Sequence, residues 1–215
     1  MRELERSAER DRAIEAALGI VAAEGWTERA LRTGLTKAGL AEDDLARVFP
    51  GGTLEAIEVW ADLVDRRMTE RVRALPLETM RVRDKVAAAV MARLAEVAPH
   101  KEAVRRAVAL LALPANAPVA ARVTARTVDA VWRAIGDRAE DLSWYTKRAT
   151  LAAVYGATLV FWLGDDSPGG ERTRAFLDRR IESLMVIPRL RKRILSVVSC
   201  LPDPFRLLGR PRQPA

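Results

Sequence analysis

An all-α fold is what this 215-residue sequence predicts, and three observations carry the prediction. Alanine, leucine and arginine dominate, and runs of β-branched residues are rare. Apolar residues recur at intervals of three and four, the spacing of one helix face, and do not alternate as a half-buried strand does. Turns containing glycine or proline separate those stripes and set about nine helices in a row.

The first helix is expected from Ser7 to Glu24, with Ile14, Ala17, Leu18 and Val21 on one stripe and a stop at Glu24-Gly25-Trp26. Thr27 caps a second that reaches Ala38, where Gly39 breaks it. A short third, Glu42 to Val48, ends at Phe49-Pro50-Gly51-Gly52. Thr53 is expected to cap a long fourth, whose stripe is Leu54, Ile57, Ala61, Val64, Met68 and Val72 and which Pro76 ends. Further helices are expected over 82–97, 100–113, 117–135, 144–163 and 171–186. Pro99, the Pro114 to Pro118 turn, Gly136-Asp137 and the Gly164 to Gly170 loop divide them. No repeat or low-complexity linker interrupts the chain, which divides into an N-terminal part (1–75), a helical core (76–186) and a tail (187–215).

Composition excludes several chemistries. With 49% apolar and 30% charged residues, the chain has a globular composition and, at this length, buries roughly 70% of its unfolded surface. One cysteine, Cys200, and one histidine, His100, cannot form an internal disulfide, a zinc site or a histidine-bearing di-iron bundle. No Gly-rich phosphate loop, serine nucleophile elbow or Glu-x-x-His motif is present. The carboxylates alternate with arginines at helical spacings and read as surface ion pairs. No catalytic residue, metal ligand or cofactor is therefore expected, and the chain is read as non-enzymatic. Eight charges of both signs crowd the first twelve residues, unlike a secretory signal or transit peptide, which predicts a cytoplasmic chain. The longest uncharged apolar run of the helical region, 149–164, is too short for a membrane span.

The net charge of +7 is concentrated at one end, because residues 187–215 hold seven basic side chains and one acid, Asp203. A field that would steer DNA to the helical body is absent. Residues 38–52, AGLAEDDLARVFPGG, nevertheless resemble the helix-turn-helix of the TetR repressor family at Ala38, Gly39, Leu40, Leu45, Phe49 and Pro50. The resemblance implies a TetR-like fold. It lies in scaffold positions, while Glu42, Asp43 and Asp44 stand where a reading helix approaches phosphates and would repel them. Acids there also suit the dipole of a helix start. Ala46 and Gly52 replace the aromatic residue and the lysine that such repressors commonly carry. No nucleic-acid partner is expected, and a TetR-like ligand-responsive transcriptional regulator is the alternative function.

The centre of the chain contains ALLALPANAPVAARVTARTVDAVWRAIGD, DLSWYTKRATLAAVYGATLVFWLGDDSP and RAFLDRRIESLM. Leu113-Pro114, Asn116, Pro118, Val128-Asp129, Trp132, Gly136-Asp137, Trp144-Tyr145-Thr146, Arg148, Tyr155 and Asp166-Ser167-Pro168 are the residues that stand out. On them the chain resembles the lipid-binding accessory protein family of coenzyme Q (ubiquinone) biosynthesis, over roughly residues 12–186. That resemblance implies a TetR-like homodimer that holds an isoprenoid quinone or other lipid and presents it to the di-iron demethoxyubiquinone hydroxylase.

On this basis the lipid pocket is expected among the helices near Ala117, Trp144 and Glu171. Leu110, Leu113, Val128, Trp132, Leu151 and Val154 are expected to contact the lipid, together with Tyr155, Leu159, Trp162, Phe176 and Leu177. The resemblance assigns hydroxylase docking to Asp141, Trp144 and Tyr145, with Val131 as an apolar neighbour. Read without the family, the Trp144 helix mixes Ala149, Ala152, Ala153, Gly156 and Ala157 with large aromatics. Such a mixture serves either close helix packing or a ligand volume.

In the tail, Ile187, Leu190, Ile194, Val197, Val198 and Leu201 form one stripe at helical spacing, and Arg189, Arg191, Lys192 and Arg193 lie off it. This cationic amphipathic helix suits an anionic membrane surface, with Leu190, Arg191, Lys192, Arg193, Ile194, Val197, Val198 and Leu201 as the contact residues. Packing against the body or a second subunit is the other use of such a helix. The expected location is the bacterial cytoplasm, peripherally on the inner membrane.

Overall fold

The computed structural model describes residues 4–137 and 142–183, with side chains from Tyr145 onward in the second stretch. Asp141, the side chain of Trp144 and every membrane residue named in the tail lie outside the described residues. The described residues are helical and contain no strand.

Helix α1 (Ala8–Glu24) begins where the Ser7 hydroxyl accepts from the Arg10 amide at 3.2 Å. It buries Ala13, Ile14, Ala17, Leu18 and Val21, the stripe read from the sequence with one residue added. Thr27 caps α2 (Glu28–Lys37) by accepting from the Ala30 amide at 3.1 Å. Gly39, at φ 82°, then turns the chain. The expected third helix divides in two: Glu42–Asp44 is a 3₁₀ turn, and only α3 (Leu45–Val48) is α-helical. Leu45, Val48 and Phe49 are buried beneath it. Arg10, itself buried, ties this corner together through Nε to the Val48 carbonyl at 2.7 Å, Nη1 to the Glu5 carbonyl and Nη2 to Glu55.

Helix α4 (Gly52–Arg73) starts two residues earlier than expected, and Thr53 does not cap it. Gly51 occupies the cap position, and its amide donates to the Glu55 carboxylate from the first turn. Helices α5 (Val82–Val97) and α7 (Ala117–Ala134) pack along α4, and α8 (Leu142–Leu163) packs on α7. Helix α6 (Lys101–Leu111) joins α5 to a 3₁₀ turn at Pro114–Asn116 and touches α1 and α7. Residues 171–183 form α9. Asp165 fixes the corner before α9 by accepting from the Ser167 amide (3.0 Å), the Thr173 amide (2.8 Å) and the Thr173 hydroxyl (2.6 Å). The Thr173 hydrogen bond leads the causes that hold its carboxyl well below the usual carboxylate range.

The apolar core passes without a break from α1 and α2 into α4–α8. Trp26, at the α1–α2 turn, donates its indole N–H to the Ala103 carbonyl of α6 at 3.0 Å, and its ring lies 5.4 Å from that of Trp60 on α4. Among the described residues, no single helix is long and apolar enough to cross a membrane.

Candidate ligand cavity

Between α4, α5, α6, α7 and α8 the core is hollow. The cavity measures about 280 Å³. Helix α4 contributes Ile57, Trp60, Ala61 and Val64 to its wall, and α5 contributes Arg93 and Val97. Helix α6 adds Val104, Ala107, Val108 and Leu111, followed by Ala112. The remaining wall is Ala120, Val123 and Thr124 of α7 and Tyr155, Gly156, Leu159 and Val160 of α8. Small residues on several helices face one another here, so the stripes meet without closing. A Cβ added to Gly156 would touch nothing within 4 Å, so on this face the glycine borders open space. Val160 is 63% exposed and brings the wall out to the protein surface.

One end of this apolar space is polar. Arg93, on the buried stripe of α5, donates from Nε to Asp65 of α4 at 2.7 Å and from Nη1 to the Tyr155 hydroxyl of α8 at 2.5 Å. The Thr127 hydroxyl of α7 donates to the other oxygen of Asp65 at 2.9 Å. All four side chains are buried, and Arg93 and Tyr155 line the cavity. Burial pushes the Asp65 carboxyl above its ordinary value despite the adjacent guanidinium, and pushes the Tyr155 hydroxyl up as well. Burial opposes the charge on Arg93, but Tyr155 and Asp65 outweigh it and hold the guanidinium cationic. Paired buried charges of this kind hold helices in one mutual arrangement at a desolvation cost.

A second recess, about 410 Å³, lies near Leu54, Glu55, Glu58 and Val119. Glu58 there accepts from Arg122 and Arg126 at 2.6 and 2.5 Å. Its wall is charged, whereas the first cavity is almost wholly apolar.

The structure places the expected lipid residues unevenly. Tyr155 and Leu159 line the cavity, together with neighbours on α4, α5 and α6 that the sequence reading did not include. Val128, Trp132, Leu151, Val154, Trp162 and Leu177 are buried in the packed core away from the wall, and Leu110 is half-buried beside that core. Leu113 sits on the α6–α7 turn, 51% exposed, and points no apolar surface into the hollow. Phe176 stacks on Phe161 at 4.4 Å, so α9 covers α8 and contributes nothing to the wall. Of the three expected helices, those near Ala117 and Trp144 (α7 and α8) border the hollow, and the one near Glu171 (α9) does not. The hollow is displaced toward α4–α6 because α9 spends its apolar face on α8.

Residues 117–188 match the COQ9 family model. The human mitochondrial ubiquinone biosynthesis protein COQ9 is 32% identical over 197 residues, covering 88% of this chain and 62% of that protein. The chain is similar to these COQ9 proteins. The Drosophila melanogaster mitochondrial COQ9 is 31% identical over 177 residues, covering 80% of this chain and 54% of that protein. The chain therefore spans less than two thirds of the length of these COQ9 relatives. A TetR transcriptional regulator from Nitrosomonas europaea superposes with a TM-score of 0.66 at 21% identity, covering 82% of this chain and 98% of that one. That likeness is one of fold, and the fold is TetR-like.

The segment matching the COQ9 model contains the α7 and α8 walls of the cavity, while α4–α6 lie outside it. It also contains the expected docking residues. Tyr145 is 68% exposed at the start of α8. Val131, by contrast, is 1% exposed, because α7 turns it into the core, so it is corrected from a surface neighbour to a core residue. Close to it, Trp132 lies under Lys147, whose Nζ is 5.5 Å from the ring and 3.0 Å from Asp137.

Proposed function

We propose that this chain is a non-enzymatic lipid-binding accessory protein of ubiquinone biosynthesis, which takes an isoprenoid quinone precursor from a membrane and presents it to the di-iron hydroxylase. The observation that carries the reading is the apolar cavity with one polar end, in a chain similar to COQ9. An empty apolar hollow costs stability through lost contacts, and a hydrocarbon chain restores them. The cavity supplies binding and shelter from water. Its charged pair offers no nucleophile.

In this reading the protein works as a homodimer. Ala149, Ala153 and Ala157 are exposed along one side of α8 with Val160, and small side chains let a second helix approach closely. Tyr145, at the exposed start of the same helix, acts with Trp144 and Asp141 as the anchor for the hydroxylase, since aromatic residues ringed by polar ones make binding hot spots. The tail, 187–215, brings the protein to the anionic inner face of a bacterial inner membrane. Mass spectrometry of lipids extracted from natively purified protein tests the reading. A prenylated quinone or other isoprenoid bound near one per chain is expected, and a lipid-free preparation that takes up none on incubation with vesicles contradicts it.

The TetR-like fold supports a second reading, a regulator whose cavity controls DNA affinity. Against it, Glu42 and Asp43 are exposed at the 3₁₀ turn that leads into a four-residue α3. Salt-sensitive binding in a gel-shift titration would favour the regulator.

A further inference from the structure

The proposed lipid site has a direction built into it. Arg93 uses Nε and Nη1 for Asp65 and Tyr155, and among the described residues no hydrogen bond engages its Nη2. The Tyr155 hydroxyl accepts from Arg93, and its own proton meets no acceptor among the described residues. Both side chains line the cavity. The polar end therefore holds two hydrogen-bond donors in excess. Asp65, whose oxygens accept from Arg93 and Thr127, is not part of the cavity wall and presents no acceptor to it. Donors that border an apolar space gain strongly from a ligand oxygen placed within reach.

Charge narrows the partner further. Asp65 sits against Arg93 and neutralises it, and among the described residues Arg93 is the charged side chain of the cavity wall. A phosphate or carboxylate would meet no net positive charge there, whereas an uncharged oxygen would meet donors in a setting of low polarity. Size points the same way. At about 280 Å³ the hollow falls just below the roughly 300–1,000 Å³ of sites that enclose a whole drug-sized ligand, so it encloses one end of a long polyprenyl molecule.

Resting on the lipid reading above, we propose that the Arg93–Tyr155 end is the subsite for the ring of the bound molecule. It takes an uncharged acceptor, a quinone carbonyl or a methoxy oxygen, while the chain leaves past Gly156 and Val160.

The test titrates the full chain, in one detergent, with a benzoquinone bearing a single prenyl unit and separately with farnesene, an isoprenoid hydrocarbon without a ring. Wild type is expected to bind the prenylquinone at least ten times more tightly than farnesene. Tyr155→Phe is expected to lower quinone affinity about fivefold and to leave farnesene affinity unchanged. Arg93→Lys keeps a cation beside Asp65 but removes Nη2, and it is expected to act in the same direction should the phenylalanine variant not fold. Equal affinity of wild type for both probes overturns the ring subsite but leaves a lipid cavity standing. A loss in the variants that is the same for both probes, or absent for both, overturns the subsite likewise. Failure of wild type to bind either probe overturns the lipid reading itself.

Discussion

Gly34 and Gly156 both interrupt the interior of a helix, and the spaces beside them are opposite. A Cβ on Gly34 of α2 would fall 2.5 Å from the Cβ of Ala17 on α1, whereas one on Gly156 of α8 would meet nothing within 4 Å. The first glycine belongs to a three-helix head whose stripes close on each other. The second belongs to a layer of helices whose stripes do not close. Both regions are built from alanine-rich amphipathic helices of similar composition. What separates them is the partner chosen by each small residue: glycine against alanine in the head, and small residues facing across a gap in the cavity layer. The cavity layer also carries the fully buried ion pair Arg93–Asp65, which spans α4 and α5 and is joined by α7 and α8.

The contrast is most severely tested at that pair. Arg93→Met leaves Asp65 buried without its cation and should cost about 3–5 kcal/mol, measured by urea unfolding. A loss under 1 kcal/mol would mean that the pair does not hold the layer together. In the head, Gly34→Ala should destabilise by about 1–3 kcal/mol through overpacking against Ala17, read as a fall in Tm. An unchanged Tm would show that α1 and α2 can separate freely.

Asp165 gives a pH-dependent version of the test at the edge of the cavity layer. Its carboxyl lies below the usual range in the folded state, chiefly through the Thr173 hydrogen bond. The stability it contributes is thus present above the unfolded carboxylate pKa of about 4 and is lost as pH falls below it. Asp165→Asn should be weaker than wild type by about 1–2 kcal/mol at pH 7, and the difference should shrink on acidification. A difference that grows on acidification would reverse the assignment. The smallest effect is expected at Gly156→Ala, which should stabilise the chain by about 0.5–1 kcal/mol, since a helix-interior glycine gives way to alanine without a clash. A destabilisation there that depends on protein concentration would show that a second copy already fills the space beside α8.

The fold was legible because helix-forming stripes and Gly or Pro turns are local signals. Thr27 caps as its sequence context suggests, Ser7 caps the helix expected to begin there, and 82–97 is reproduced as α5 to the residue. Thr53 is not a cap because the helix already begins at Gly52, with Gly51 at the cap position and its amide donating to Glu55. The cavity was less legible. Arg93 stands at helical spacing among Val86, Ala89, Val90 and Val97, and Asp65 follows Val64 inside the buried face of α4. A charge on an otherwise apolar stripe was the available signal for the polar end. The apolar wall left no comparable mark, because a stripe that lines a hollow and one that fills a core have the same residues and period. Only the distance between helices tells them apart, and that is set by contacts remote in sequence, such as Trp26 with Ala103.

Lipid content per chain, compared between native wild type and Ala61→Trp, bears most directly on the claim that the hollow is a binding site. Ala61 lines the cavity from α4, and an indole there would occupy much of the space. The account predicts isoprenoid lipid in the wild type and almost none in a variant of equal helicity. Equal lipid content in the two proteins would contradict it.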